Sequence, residues 1–225
     1  MNAFGVTIHE PGVVFTDLGL AILGAWFAWR LASLSGQGPL GRAGVVLMAG
    51  LASAAFWGAI FHAFFPLDTA TWPGFIAWIP VSLSIVVAAA ALLDLGLRAL
   101  APRLHQRARR TTVAVYATAF AAVVLLVDES FTGIVRFYVP ALLLFLIAAA
   151  ARAIRDGGGW TLLALGLAFS AGAAVLQQLE VALHPVYFDH NAVYHVVQAG
   201  ALVLLYLGFR RVAETSAGEE RFRRL

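Results

Sequence analysis

"NAVYHVVQAGALVLLYLGF", residues 191–209, decides the fold, because it contains no Asp, Glu, Lys or Arg. A helix of about 20 apolar residues crosses the hydrocarbon core of a bilayer. In the whole chain of 225 residues, 61% are hydrophobic and 12% are charged. A soluble domain has about 45–50% apolar and about 25% charged residues. The composition therefore predicts an integral membrane protein.

Six further stretches resemble the first in length and apolar character, and turn formers, prolines or charges separate them. The predicted spans are 13–34, 43–65, 74–99, 111–127, 132–152, 159–183 and 191–209. Pro80 and Pro140 lie inside spans three and five, where proline predicts a kink. We expect an all-α bundle of seven transmembrane helices. It forms a single domain over residues 1–212, with a polar cytoplasmic tail over 213–225.

The arginines predict the orientation. All fifteen basic residues are arginine, and fourteen fall on one side of the predicted spans. They are Arg30, Arg42, Arg98, Arg103, Arg107, Arg109, Arg110, Arg152, Arg155, Arg210, Arg211, Arg221, Arg223 and Arg224. The positive-inside rule makes that side cytoplasmic, which leaves the N-terminus outside and the C-terminus in the cytoplasm of a plasma or inner membrane. The same rule accounts for the basic charge without a nucleic-acid partner.

The absence of two residue types excludes some chemistry. The chain has no cysteine, so neither disulfides nor thiolate metal ligands are available. It has no lysine either, which excludes a Schiff-base linkage to a cofactor such as retinal.

Four polar residues from different spans share one predicted depth near the outer face. With a rise of about 1.5 Å per residue, each lies roughly 5–8 Å below the outer end of its helix. They are Asp17 in span one, His62 in span two, Glu180 in span six and His195 in span seven. Polar residues inside a membrane are costly and usually functional, so this level is the predicted site.

Helical spacing extends the predicted site. The first set, on one face of span six, contains Gln177, Glu180 and His184, and the second, on one face of span seven, contains Asn191, His195 and Gln198. The structural alternative is that a histidine such as His62 only joins two helices by a hydrogen bond. The span-six set is alternatively a polar gate or a counter-charge for Arg136. We expect His9 and Glu10 to lie in a solvated N-terminal segment.

Imidazole and carboxylate groups without cysteine favour zinc in a hydrolytic site. The predicted ligands are His62 and His195, and His190 or Glu180 completes the set. Zinc would lower the pKa of a bound water and polarise a carbonyl. Asp17 and Glu180 are the predicted catalytic carboxylates. Alternative ligands or supporting residues are Asn191, His184, Gln177, Gln198 and Asp68.

Two short segments resemble those of a known family. "GAIFHAFF" (residues 58–65) and "NAVYH" (residues 191–195) resemble the helix-two and helix-seven motifs of the CREST superfamily, which contains alkaline ceramidases and progestin and adiponectin receptors. The resemblance implies a seven-helix fold that holds zinc through His62 and His195 and hydrolyses lipid amides or esters.

This sequence departs from the CREST pattern at three places. Gly58 stands where the family has a serine, and Asn191 where it has its first helix-seven histidine. Asp68 is only an approximate match to the aspartate that follows helix two. The resemblance therefore supports the fold better than the reaction.

The first functional hypothesis is a zinc-dependent hydrolase of a lipid amide or ester whose partner is a membrane lipid. The second is a non-catalytic receptor-like or ligand-binding protein, which Gly58 and Asn191 favour. The third is a b-type haem protein with His62 and His195 as axial ligands. An accessory subunit of a membrane complex, or a homo-oligomer, also stays open.

Overall fold

The computed structural model describes residues 2–3, 6–34, 38–65, 69–184 and 187–222, with side chains from Thr7 to Thr215 within those ranges. The described residues form a short antiparallel hairpin followed by seven helices. The elements are β1 (Asn2–Ala3), β2 (Val6–Thr7), α1 (Pro11–Ala32), α2 (Pro39–Phe64), α3 (Trp72–Leu100), α4 (Gln106–Leu126), α5 (Phe131–Asp156), α6 (Gly159–Gln178) and α7 (His190–Phe222). All seven described helices are long and apolar enough to cross a membrane, which confirms the predicted all-α fold of seven helices and fits an integral membrane protein.

The helix starts follow from local sequence signals. Pro11 and Pro39 occupy the first positions of α1 and α2, where proline's fixed φ suits a helix and its missing N–H leaves no bond unmade. Asp189 caps α7 by accepting a hydrogen bond from Ala192 N at 2.9 Å. Pro80 and Pro140 lie inside α3 and α5 as predicted.

Six of the described helices pack in a closed order: α1 against α2, α2 against α3, α3 against α5, α5 against α6, α6 against α7, and α7 back against α1. Helix α4 lies outside this ring against α3 and α5, and its buried residues are Phe120 and Val124. The starts of α1, α3, α5 and α7 and the ends of α2, α4 and α6 lie at the same end of the bundle, which we call the N-terminal end.

Helix α6 is shorter than the predicted span 159–183, because it ends at Gln178. Glu180 adopts a positive φ of 53° immediately after the helix. Its N–H donates to Gln177 O at 3.1 Å, and Val181 N donates to Leu176 O at 3.1 Å. These two bonds form a Schellman motif, the usual way to satisfy the last carbonyls of a helix. The predicted common face of Gln177, Glu180 and His184 is therefore wrong.

Helix α7 differs from its prediction in the opposite direction. The predicted span ends at residue 209 and the predicted domain at residue 212, whereas the helix continues to Phe222. The part of α7 that is apolar enough to span a membrane is His190–Thr215. Long α7 packs mainly against α6 and α1, so its start lies beside the start of α1 at the N-terminal end.

Candidate functional site

Asp17 and His195 form a buried pair between α1 and α7. Asp17 Oδ1 lies 3.2 Å from His195 Nε2. The two residues expose 4% and 7% of their surface, respectively. Each is placed a few residues inside its helix, because Pro11 starts α1 and Asp189 caps α7. A buried carboxylate or imidazolium is costly unless it has a partner, so each group accounts for the burial of the other.

Thr16 completes a chain of polar groups through the His195 ring. Thr16 Oγ1 lies 2.9 Å from His195 Nδ1 and 3.0 Å from the main-chain oxygens of both Gly12 and Val13. A hydroxyl has one hydrogen to donate, so these three acceptors compete for it. The two ring nitrogens of His195 therefore contact consecutive side chains of α1, a hydroxyl and a carboxylate.

Glu10 and His62 form a second pair at the same end of the bundle. His62 Nδ1 lies 2.5 Å from Glu10 Oε2, and both side chains are half-buried. A main-chain hydrogen bond from His9 N to Ala63 O, at 3.2 Å, holds the N-terminal segment against the end of α2. Glu10 thus lies in the site, and our expectation that it belongs only to a solvated segment is wrong.

Gly58 connects the two pairs. It lies one helical turn before His62 on α2, and a Cβ atom built on Gly58 would come within 2.9 Å of Asp17 Oδ2. Only a residue without a side chain lets the Asp17 carboxylate approach the α2 backbone this closely. His62 is near enough to interact electrostatically with both Asp17 and His195. Three of the four residues predicted to share one depth are therefore brought together.

The other polar residues of α7 lie around this cluster. Gln198 is buried one turn after His195, and Asn191 is half-buried one turn before it, so the predicted face of α7 points into the bundle. Gln177 Nε2 donates to Asn191 Oδ1 at 3.4 Å, which joins the end of α6 to the start of α7. The Gln177 and Asn191 amides thus form an uncharged edge of the site.

Other predicted site residues lie in the connection between α6 and α7 or at its border. Glu180 and His184 are exposed in that connection, and His184 Nδ1 accepts a hydrogen bond from Tyr187 N at 3.2 Å. His190 is the first residue of α7 and is half-buried. Asp68 lies outside the described residues.

Arg136 on α5 has an acidic partner other than the span-six set. Its Nη1 lies 3.4 Å from Oδ2 of Asp128, a residue in the connection between α4 and α5. Hydrogen bonds from the Ser130 side chain and main chain hold the pKa of Asp128 below its usual range. Asp128 is therefore a charged partner for Arg136.

Comparison with protein families gives one match. The sequence model of a family of unknown function, DUF6962, matches residues 13–214. The chain belongs to the DUF6962 family. The match includes Thr16, Asp17, His62 and His195 and begins after Glu10. Among curated proteins, none matches the chain. The family description carries no link to the CREST superfamily.

The donor set of this DUF6962 protein does not fit a zinc site as it stands. Among the described residues, no three His, Asp or Glu side chains are grouped so that they could hold a metal ion. His195 directs one ring nitrogen to Asp17 and the other to Thr16, and His62 Nδ1 faces Glu10. A metal or haem iron would have to replace one of these contacts at His195. The arrangement instead suits proton transfer, since each imidazole has a carboxylate beside it.

Proposed function

We propose that this protein is a membrane-embedded hydrolase of a lipid amide or ester, with Asp17 and His195 as its acid–base pair. The observation that carries the proposal is the buried 3.2 Å contact between Asp17 Oδ1 and His195 Nε2. A neutral imidazole takes the proton of an attacking hydroxyl group, and a carboxylate beside its other nitrogen stabilises the imidazolium that forms. General acid–base catalysis of this kind contributes about 10²–10⁴-fold to a rate.

His62 and Glu10 supply the second proton-transfer group of the proposal. Hydrolysis of an amide or ester needs a proton at the leaving nitrogen or oxygen as well as a base for the nucleophile. His62 is half-buried and has the Glu10 carboxylate 2.5 Å from its Nδ1, so this imidazole also has a carboxylate within hydrogen-bond distance. We assign His62 the role of proton donor to the leaving group.

The depth of the pair favours a lipid substrate. Asp17 and His195 lie roughly 7–9 Å along their helices from Pro11 and His190, with about 1.5 Å of rise per residue. In a bilayer, the polar headgroup region adds several ångströms on each side of a hydrocarbon core of about 30 Å. This depth supports a lipid substrate, because the amide and ester linkages of membrane lipids lie close to the same boundary.

The orientation and the family relationship belong to the same proposal. Arg98, Arg109 and Arg152 are examples of described arginines that lie away from the N-terminal end of the bundle. By the positive-inside rule, they support an extracytoplasmic N-terminus and a cytoplasmic C-terminus in a plasma or inner membrane. A remote relationship to the CREST superfamily rests on the segments around His62 and His195. Reporter fusions at both ends of the chain test the orientation.

Zinc stays a prediction from the sequence, and the proposed chemistry is written without it. Of the predicted ligands, His62 and His195 lie at the site, whereas Glu180 is exposed in the following connection. Metal analysis of the purified protein, beside His62→Ala and His195→Ala variants, tests this prediction directly.

A ligand-binding protein without turnover is the second candidate. Gly58 and Asn191 favour it, because they stand at two positions where the CREST motifs have a serine and a histidine. Under this reading, the buried polar cluster recognises a lipid headgroup, and the protein retains the intact lipid through purification.

One experiment distinguishes the two candidates. Purified protein in lipid nanodiscs is incubated with ceramides, other N-acyl lipids and phospholipid esters, and released fatty acid is measured by mass spectrometry. The hydrolase is supported if the wild type releases fatty acid, the His195→Gln variant does not, and the distant control His105→Asn still does. A tightly bound, intact lipid without fatty-acid release would favour ligand binding and overturn the hydrolase.

A further inference from the structure

We propose that Thr16 is the nucleophile of this hydrolase and that the reaction passes through an acyl ester on its hydroxyl oxygen. This inference rests on the proposed function, since it names the group that His195 activates. Sequence spacing gives no reason to select Thr16. Its position beside the imidazole does.

The geometry places a hydroxyl, an imidazole and a carboxylate in one chain. Thr16 Oγ1 is 2.9 Å from His195 Nδ1, and Asp17 Oδ1 is 3.2 Å from His195 Nε2. A hydroxyl beside an imidazole that is itself oriented by a third group is the arrangement of an activated nucleophile. Such sites are recognised by the roles of the groups and their distances, whichever ring nitrogen meets the hydroxyl.

The hydroxyl has a resting position and a reactive position. With its hydrogen directed to the main-chain oxygen of Gly12 or Val13, each 3.0 Å away, Thr16 is an ordinary helical threonine. With its hydrogen directed to His195 Nδ1, the oxygen presents a lone pair for attack. A rotation of the O–H bond alone moves between the two positions, because the oxygen is already within hydrogen-bond reach of all three acceptors.

The proposed reaction has two balanced halves. In the first, Thr16 Oγ1 forms a bond to the lipid carbonyl carbon while its proton moves to His195 Nδ1, and Asp17 stabilises the imidazolium. The carbon–nitrogen or carbon–oxygen bond to the leaving group then breaks, and the departing amine or alcohol takes a proton from His62. The proton on the His195 imidazolium passes to His62 in its place, which leaves His195 neutral for the second half. In the second half, water gives a proton to the imidazole and attacks the acyl ester, and Thr16 recovers its hydrogen as the fatty acid leaves.

A preformed contact favours Thr16 over a water molecule as the attacking group in the first half. Holding a reactant beside a catalytic group removes much of the entropy cost of bringing the two together. Thr16 and Asp17 are consecutive residues of α1, so one helix holds both the nucleophile and the carboxylate in contact with the His195 ring. Water is needed only in the second half.

The test uses full-length protein in nanodiscs with the lipid it hydrolyses, and compares Thr16→Val, Thr16→Ser and Thr112→Val. Thr112 is a matched control, because its hydroxyl also donates to a helix carbonyl, that of Ala108, at 3.0 Å. We expect Thr16→Val to lose turnover by on the order of 10³-fold or more. Thr16→Ser keeps the hydroxyl and should recover part of the turnover that Thr16→Val loses, whereas Thr112→Val should match the wild type.

Covalent trapping separates a nucleophile from a residue that only positions His195. Hydroxylamine added during wild-type turnover should yield acyl hydroxamate, and acid-quenched protein should carry the acyl mass on the peptide that contains Thr16. Wild-type hydrolysis with no acyl group on that peptide, or full turnover by Thr16→Val, overturns the nucleophile and leaves the hydrolase standing. No hydrolysis by the wild type overturns both.

Discussion

Asp17 and His195, near opposite ends of the sequence, meet with 3.2 Å between Oδ1 and Nε2 in the buried N-terminal end of the bundle. The contact exists because α7 packs back against α1 and closes the order of helices. Gly58 on α2 lets the Asp17 carboxylate lie against the neighbouring helix. The packing of α1, α2 and α7 therefore assembles the site.

Gly58→Ala should disturb the site directly. The added methyl group would come within 2.9 Å of Asp17 Oδ2, so either the carboxylate or the helix must move. We expect a loss of about 1–3 kcal/mol in the free energy of unfolding, together with reduced lipid hydrolysis. Gly19→Ala on α1 is the control, because nothing lies within 4 Å of its added carbon. Equal stability and activity in both variants would contradict the close approach of α1 and α2.

Glu180→Gly should stabilise the protein and leave its activity intact. Glu180 has a φ of 53°, a conformation that glycine adopts without the steric cost that other residues carry. We expect a gain of about 1 kcal/mol in the free energy of unfolding, measured by chemical denaturation in detergent. Glu180→Ala, which keeps the Cβ atom, should show no such gain. Loss of hydrolysis in Glu180→Gly would restore the sequence prediction that Glu180 is catalytic.

A chelator should not change the rate of lipid hydrolysis. The described residues form no group of three His, Asp or Glu side chains that could hold a metal ion, and the proposed proton transfers use only protein groups. The measurement is turnover before and after treatment with 1,10-phenanthroline, with zinc content followed in parallel. Two results together would establish the zinc site instead. The chelator would inhibit hydrolysis and added zinc would restore it, and the His62→Ala and His195→Ala variants would each lose the bound zinc.

The sequence alone predicts the seven helices and three residues of the proposed site, which are Asp17, His62 and His195. Long apolar runs determine where a chain can cross a membrane, so the predicted spans agree with the described helices to within a few residues at most ends. Asp17, His62 and His195 could be selected because polar residues at one membrane depth are rare. The rise per residue of a helix converts their positions into comparable depths.

The remaining differences come from local main-chain geometry and from contacts between distant segments. The apolar neighbours of Glu180 predict a helix at this position, and nothing in the sequence marks it for a left-handed conformation that usually belongs to glycine. Glu10 precedes the first span and reaches His62 only because the N-terminal segment folds back over α2. Thr16 resembles any threonine that bonds to its own helix, and only the position of α7 reveals its contact with His195.

The most direct test of the Asp17–His195 pair is a double-variant cycle of lipid hydrolysis with Asp17→Asn, His195→Gln and the variant that carries both changes. If the two residues act as one acid–base unit, each single change should lower turnover by about 10²–10⁴-fold, and the double variant should be no slower than the slower single variant. Rate losses that multiply in the double variant, or an Asp17→Asn rate equal to that of the wild type, would contradict the pair.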